Sequence, residues 1–243
     1  MDEKKVVGII PARYEASRFP GKVIAKINNK PMIQYVWEAA SSANLLDDLI
    51  IACDDPRVKE ASDAFGAKTV MTAEAHSSGT ERITEVVNPL DVDMVVNIQA
   101  DEPLIKPVMI DDLITCLESQ EDAPMATLAT PITDLSQLKD PNVVKVVLDR
   151  QEFALYFSRA PIPYPRKTGE ADKFYKHIGI YAYTKDFLFE LKNLPTSMLE
   201  EIEALEQLRV LEAGIKIKVF ETQFDTIGVD TPEDIQKVED LLR

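Results

Sequence analysis

Cysteine and histidine are scarce in this 243-residue chain, with two of each. Cys53 and Cys116 lie far apart and neither belongs to a C-x-x-C pair. That argues against a cysteine zinc site and against a disulfide scaffold, and it points to a reducing compartment. His76 and His177 are too isolated to make a metal site by themselves. Positive charge is in deficit: 27 Lys and Arg stand against 42 Asp and Glu, a net charge of −15. Such a surface repels nucleic-acid backbones, so no nucleic-acid partner is expected. A small anionic ligand stays open, because a few local cations can build a positive pocket. No apolar run approaches membrane-span length, and the run in MDEKKVVGII is too short for a secretion signal; a cytoplasmic protein without a membrane partner is expected. Repeats, low-complexity tracts and long linkers are missing too. What is present is ordinary for a globular chain, 45% hydrophobic and 28% charged residues, and enough to bury a sizeable core.

The first half alternates strand and helix signals. Val6–Ile10 is a β-branched run ending at Pro11, and Leu49–Cys53, Lys68–Met71 and Asp93–Ile98 read as further strands. Between them Met32–Ala43, Asp54–Phe65 and a segment opened by Ser78 and running to about Val87 read as helices, with Pro107–Ser119 after the last strand. Pro31 marks a helix start, Gly66 a stop, and Ser78 with Glu81 has capping-box spacing. This order predicts an α/β fold, a mostly parallel central sheet with helices on both faces, whose ligand lies at the carboxyl ends of the strands. The loops Ala12–Lys30 and Gln99–Pro103 fall there. In the second half Met125–Pro131, Val143–Leu148, His177–Tyr183 and Ile215–Phe220 read as strands and Ser158–Lys167 as a loop. Met198–Ala213 reads as one helix, with Leu199, Ile202, Leu205, Leu208 and Leu211 as its apolar positions, and Asp230 or Thr231 caps a last helix with Pro232 in its first turn. A β-ribbon and helix lobe over the open end of the sheet is expected.

Three stretches carry chemistry. Pro11-Ala12-Arg13-Tyr14-Glu15-Ala16-Ser17-Arg18-Phe19-Pro20-Gly21-Lys22 clusters cations and backbone N–H donors after a strand. It is neither a Walker A motif nor a dinucleotide G-x-G-x-x-G; it suits a polyphosphate, or is a solvated basic loop. In Asn97-Ile98-Gln99-Ala100-Asp101-Glu102-Pro103 a buried strand runs into adjacent carboxylates, which suits magnesium shared with phosphate oxygens, or is a turn before Pro103. Gly228-Val229-Asp230-Thr231-Pro232 caps a helix and becomes functional only if Asp230 meets Asp101. His177 lies in a strand with Tyr175, Tyr181 and Tyr183, residues that serve a core as readily as a site.

The chain resembles the 3-deoxy-manno-octulosonate (Kdo) cytidylyltransferases. The resemblance is carried in collinear order by IPARYEASRFPGK, NKPMIQYVWEAA, AHSSGTERITEVV, VVNIQADEP, PNVVKVV, ALYFSRAPIPYPR, KHIGIYAY, LEEIEALEQLRVLEAGIKIKV and GVDTPEDI. It implies a nucleotide-diphospho-sugar-transferase-like fold, a homodimer, and a magnesium-dependent reaction of CTP with Kdo that feeds bacterial lipopolysaccharide assembly. It implies one cytidylyltransferase domain over residues 1–243, its nucleotide part about 1–122, a sugar-acid and dimerisation part about 123–220, and a metal-ligand segment with the last helix over 221–243. Arg13, Ser17 and Lys22 would hold the triphosphate, Pro11 and Ala12 would also bind the nucleotide, and Ser78, Gly79 and Arg82 would lie by the cytidine. Gln99, Arg159, His177, Tyr181 and Glu206 would line the sugar-acid pocket. Asp101 and Asp230 would hold Mg2+, and with Lys22 form the catalytic set. Three positions depart from the family pattern. Ala100 and Asn29 replace usual glycines, so Ala100 is strained if its φ is positive, whereas Asn29 tolerates that region. Cys53 replaces a usual Thr and reads as a small buried residue. The same chemistry on 8-amino-3,8-dideoxy-manno-octulosonate or another sugar acid, and a non-catalytic nucleotide-binding protein on this fold, are the alternatives.

Overall fold

A strand that is apolar at every position needs cover on both faces. The computed structural model, which describes residues 4–15, 19–76, 78–166 and 173–242, provides it for β1 (Val6–Ala12). Val6, Ile10 and Ala12 enter one hydrophobic cluster, while Val7 and Ile9 enter another across the sheet. Gly8 interrupts the first row because Leu49 and Leu46 crowd it; a Cβ there would lie 2.9 Å and 3.0 Å from their Cδ1 atoms.

The chain continues through a hairpin, β2 (Lys26–Ile27) and β3 (Lys30–Pro31), into α1 (Met32–Ala40), β4 (Asp48–Cys53), α2 (Pro56–Asp63), β5 (Thr69–Met71), α3 (Gly79–Val87), β6 (Met94–Asn97) and α4 (Pro107–Glu118). Then come β7 (Met125–Pro131), β8 (Lys145–Leu148), β9 (Ala154–Ser158), β10 (Tyr175–Thr184), α5 (Lys185–Asn193), α6 (Met198–Glu203), α7 (Gln207–Glu212), β11 (Ile217–Glu221) and α8 (Pro232–Leu241). The main path of the sheet is β11-β7-β10-β6-β1-β4-β5, with β8 and β9 attached beside β10. β4 and β6 flank β1 in parallel, β5 lies parallel to β4, and β11 parallel to β7. β10 runs antiparallel to β6, β7 and β8, so the sheet is mixed but mostly parallel in its N-terminal half. Ile33, Val36, Val58, Met109, Ile110 and Leu113 of α1, α2 and α4 cover one face; Ile83, Val87, Phe187, Leu188 and Leu191 of α3 and α5 cover the other. Each such side chain contributes about 1.5–3 kcal/mol on burial.

Because β1 feeds β4 on one side while β6 arrives on the other, the strand order reverses beside β1. A crevice therefore opens outside the carboxyl ends of β1 and β6. A third, small cluster closes it from below: Ile27 and Met32 pack against Val229 and Val238, which brings α8 under the β2–β3 hairpin.

Several elements differ from the sequence-based expectation. β1 does not end at Pro11 but passes through it to Ala12, pairing Pro11 with Ala52. Pairing with β6 reaches only Ile9 and Asn97, so no ladder bond is waiting for the N–H that Pro11 lacks. The single helix expected over Met198–Ala213 is two, α6 and α7, broken at Ala204 with φ 51°. Its apolar residues recur every third position, which drifts around a 3.6-residue helix; Ile202 is consequently 72% exposed while Leu208 is fully buried. β9 and α5 were not foreseen. At the β2–β3 turn Asn28 and Asn29 both take positive φ, 47° and 68°, as the reading of Asn29 required.

Candidate active site

The crevice holds a cleft of about 420 Å³. Its floor is cationic by construction. Gly21, in the left-handed region at φ 71°, donates its N–H to the Tyr14 carbonyl at 2.7 Å and turns the chain into a short 3-10 segment, Lys22–Ile24. That turn aims Lys22 across the cleft. Its Nζ lies 2.6 Å from Asp101 Oδ2, 3.2 Å from Asp230 Oδ1 and 3.1 Å from the Val229 carbonyl. Burial would lower the Lys22 pKa, but the charges and hydrogen bonds of Asp101 and Asp230 outweigh it and hold the ammonium above its ordinary value. Backbone bonding fixes this meeting, since the Val229 N–H donates to the Asp101 carbonyl at 2.9 Å. Beyond Asp101, Glu102 is driven up to about 7 by burial and by the Asp101 charge.

Pro11, Arg13, Lys22, Gly79, Arg82, Gln99, Asp101 and Asp230 all line this cleft. The alignment of residues so distant in sequence follows from the sheet, since β1, β6 and the start of α3 share one edge. Ala12 is fully buried just behind the lining. Ser78 spends its hydroxyl on capping α3, accepting the Glu81 N–H at 3.2 Å, and Gly79 presents the helix start to the cleft instead. Ser17 lies outside the described residues. Glu15, Phe19, Val23 and Ala100 also line the cleft.

Arg82 is fully buried. Its Nη2 donates to Asp54 Oδ2 at 2.8 Å and its Nη1 to Thr72 Oγ1, while Nε has no partner among the described residues. Asp54 was missed by the sequence reading, which placed it in a helix. The signal was there: an acid directly after a buried strand, as at Asp101.

The residues assigned to the sugar acid are less gathered. Gln99 donates to Asn97 Oδ1 at 3.1 Å at the cleft wall. Tyr181 pairs across with Asn97, and burial together with the Glu206 charge raises its phenol. Glu206 accepts a 2.7 Å bond from Thr80 Oγ1, which ties it to the first turn of α3. His177 is buried four residues before Tyr181 on β10, with Nε2 3.0 Å from Thr127 Oγ1 and its ring edge-on to Phe157. Burial pushes its pKa down to about 3, so it is neutral at pH 7. Arg159 does not line the cleft. Its guanidinium donates to the carbonyls of Glu203 (2.7 Å), Pro141 (2.8 Å) and Ala204 (3.3 Å), and so braces the break between α6 and α7.

The chain matches the cytidylyltransferase family model over residues 7–217. It is 48% identical to the 3-deoxy-manno-octulosonate cytidylyltransferase of Solibacter usitatus, covering 99% of this chain and 95% of that one. It is 53% identical to the 8-amino-3,8-dideoxy-manno-octulosonate cytidylyltransferase of Shewanella pealeana, covering 94% of each. The solved structure of a CMP:2-keto-3-deoxy-manno-octonic acid synthetase complexed with CTP superposes with a TM-score of 0.92 at 45% identity, over 98% of both chains. The chain belongs to the 3-deoxy-manno-octulosonate cytidylyltransferase family.

In this cytidylyltransferase the donor set fits magnesium. Asp101 and Asp230 converge on one ammonium, which stands in for a divalent charge, and both are hard oxygen donors. Among the described residues no cluster of three or more His, Cys, Asp or Glu side chains suited to a metal forms. Two carboxylates plus substrate phosphates is the arrangement magnesium ordinarily takes. The family departures are benign. Ala100 is not among the residues with positive φ, so the strain considered for it does not arise and its methyl only narrows the cleft wall. Cys53 is fully buried, and burial raises its thiol to about 11.

Proposed function

We propose that this cleft transfers the cytidylyl group of CTP to the anomeric hydroxyl of Kdo, releasing pyrophosphate. The observation that carries the reading is the grip of Lys22 on both Asp101 and Asp230 at the mouth of the Arg13–Lys22 turn. Two carboxylates and a cationic turn meet there at the carboxyl ends of β1 and β6, where an α/β sheet binds its nucleotide.

The step forms a bond from the sugar hydroxyl oxygen to the α-phosphorus and breaks the bond from that phosphorus to the β-phosphate. Pyrophosphate leaves with the electron pair, and the hydroxyl proton passes to solvent. Both reactants are anions, so charge has to be screened before they approach. Lys22 and Arg13 would neutralise the charge that grows on the leaving group. Asp101 and Asp230 would hold Mg2+, whose Lewis acidity would lower the hydroxyl's pKa and offset phosphate charge. Gln99, Tyr181 and Glu206 would orient the sugar acid beside the α3 start. No covalent enzyme intermediate is needed.

A cytoplasmic homodimer whose product feeds lipopolysaccharide assembly belongs to the same proposal and draws on the sequence resemblance. A second reading, transfer to the 8-amino analogue, is favoured by the 53% identity to the Shewanella pealeana enzyme named for that acceptor. Coupled pyrophosphate release with CTP and magnesium, across a panel of nucleotides and sugar acids, tests both. Turnover of Kdo supports the first reading. Turnover of only the amino sugar replaces it with the second, and CTP binding without pyrophosphate release with either would leave a non-catalytic nucleotide binder.

A further inference from the structure

The cleft's two nucleotide-facing walls come from different parts of the chain, and one carboxylate touches both. Asp54 follows β4. Its Oδ1 accepts the backbone N–H of Tyr14 at 3.1 Å, next to Arg13 in the cationic turn. Its Oδ2 accepts Arg82 Nη2 at 2.8 Å from the first turns of α3. Asp54 is itself largely buried, its side chain 12% exposed, and Arg82 is completely so.

A second brace acts on the same turn from the neighbouring residues. Asp55 caps α2 and grips Arg57 through two bonds, 2.8 Å and 2.5 Å. The Arg57 guanidinium lies over the Tyr14 ring, 3.4 Å from its centroid. The other side of the matter is Gly21: a Cβ there would stand 3.1 Å from Tyr14 Cε2, so the Tyr14 ring supports the left-handed residue that aims Lys22.

We propose that Asp54 is a positioning residue of the nucleotide site, holding the Arg13–Lys22 turn and Arg82 in register from one carboxylate, with Arg57 bracing the same turn through Tyr14. Asp54 does not line the cleft and acts through its two partners. Arg82 borders the cleft from within its wall, with Asp54 and Thr72 each engaging one of its terminal nitrogens and its Nε without a partner among the described residues. This inference rests on the cleft being the CTP site.

Steady-state kinetics of Asp54→Asn test it, with CTP and the sugar acid varied separately and the melting temperature measured alongside. The expected result is a KM for CTP raised about tenfold or more, with the KM for the sugar acid within about twofold of the parent enzyme. Arg57→Ala changes only an exposed brace and is expected to raise the CTP KM about threefold at unchanged melting temperature. Should Asp54→Asn fail to fold, the Arg57→Ala result decides alone. An unchanged KM for CTP in either folded variant, or equal rises in both KM values for Asp54→Asn, would overturn the proposal. Lys22→Gln separates this from the site assignment. If Lys22→Gln abolishes CTP binding while Asp54→Asn does not weaken it, the positioning role fails and the cleft stands; if Lys22→Gln binds CTP normally, the cleft reading itself fails.

Discussion

Two strand ends in this molecule carry nearly the same residues and do different work. β4 ends in Ala52-Cys53-Asp54-Asp55-Pro56 and β6 leads into Gln99-Ala100-Asp101-Glu102-Pro103. After β4 the first acid pairs with the buried Arg82, and the second caps a helix and holds Arg57. After β6 the first acid meets Lys22 and Asp230 at the cleft, its side chain 29% exposed, and the second has one carboxyl oxygen sealed from solvent and its pKa driven up to about 7. Strand and acids are common to both. What differs is the cation each acid faces: a guanidinium sealed within the wall, or an ammonium at an opening where a second carboxylate joins it. An acid pair after a buried strand therefore marks a place where charge collects, and the arriving partner decides whether the place is a brace or a reaction site.

The comparison breaks most visibly in catalysis. Asp101→Asn is expected to lower kcat about a thousandfold at saturating magnesium, with the fold retained by circular dichroism. An unimpaired Asp101→Asn enzyme would remove the reaction site from β6. Stability should rank the two ends the other way. Asp54→Ala leaves a fully buried guanidinium without its counter-charge and is expected to cost about 3 kcal/mol in urea unfolding. Asp101→Ala, at a half-open pair, should cost less than about 1 kcal/mol. Equal costs would mean that both pairs are structural.

The second acids sharpen the contrast through pH. Glu102 has its folded pKa raised from 4.5 to about 7, by burial first and then by Asp101. The folded state thus holds a proton that the unfolded chain releases between those values. The stabilising contribution is complete below about pH 4.5 and is lost as pH rises through 7. In urea unfolding with a chelator present, Glu102→Gln is expected to gain on the parent protein by about 2 kcal/mol between pH 5 and pH 8. Asp55 runs oppositely, held down to about 2 by its hydrogen bond to Arg57. No such gain should follow Asp55→Asn. The smallest expected effect concerns Ala100→Gly. With no positive φ to relieve, the glycine should destabilise by about 0.5–1 kcal/mol, through the freedom it adds to the unfolded chain. A stabilised variant would mean that Ala100 is strained after all.

Much of the N-terminal half was legible in the chain because its signals are local. A β-branched run, a Gly or Pro at a boundary and an acid at a strand end each act within a few residues. The cationic turn and Asp101 could therefore be placed without coordinates. The second half was less legible. Apolar residues spaced by three suggested one helix over Met198–Ala213, yet Arg159 binds the carbonyls at its break and Ile202 faces out. Arg159 carried a side chain suited to an acid ligand, and its commitment to carbonyls depends on where three distant segments meet. Asp54 stood in plain view and passed for an ordinary helix-start residue, because Arg82, its partner, lies 28 positions away.

By itself the sequence determined the strand–helix alternation, the family and the residue types able to hold phosphate and a divalent cation. Tertiary structure alone decided that Asp230 reaches Asp101, that Arg82 is sealed against Asp54, and that Arg159 supports a helix break. The reason is range. Backbone preference and hydrophobic period are written in neighbouring residues, whereas the electrostatic role of a carboxylate is set by whichever charge the fold carries to within about 4 Å of it.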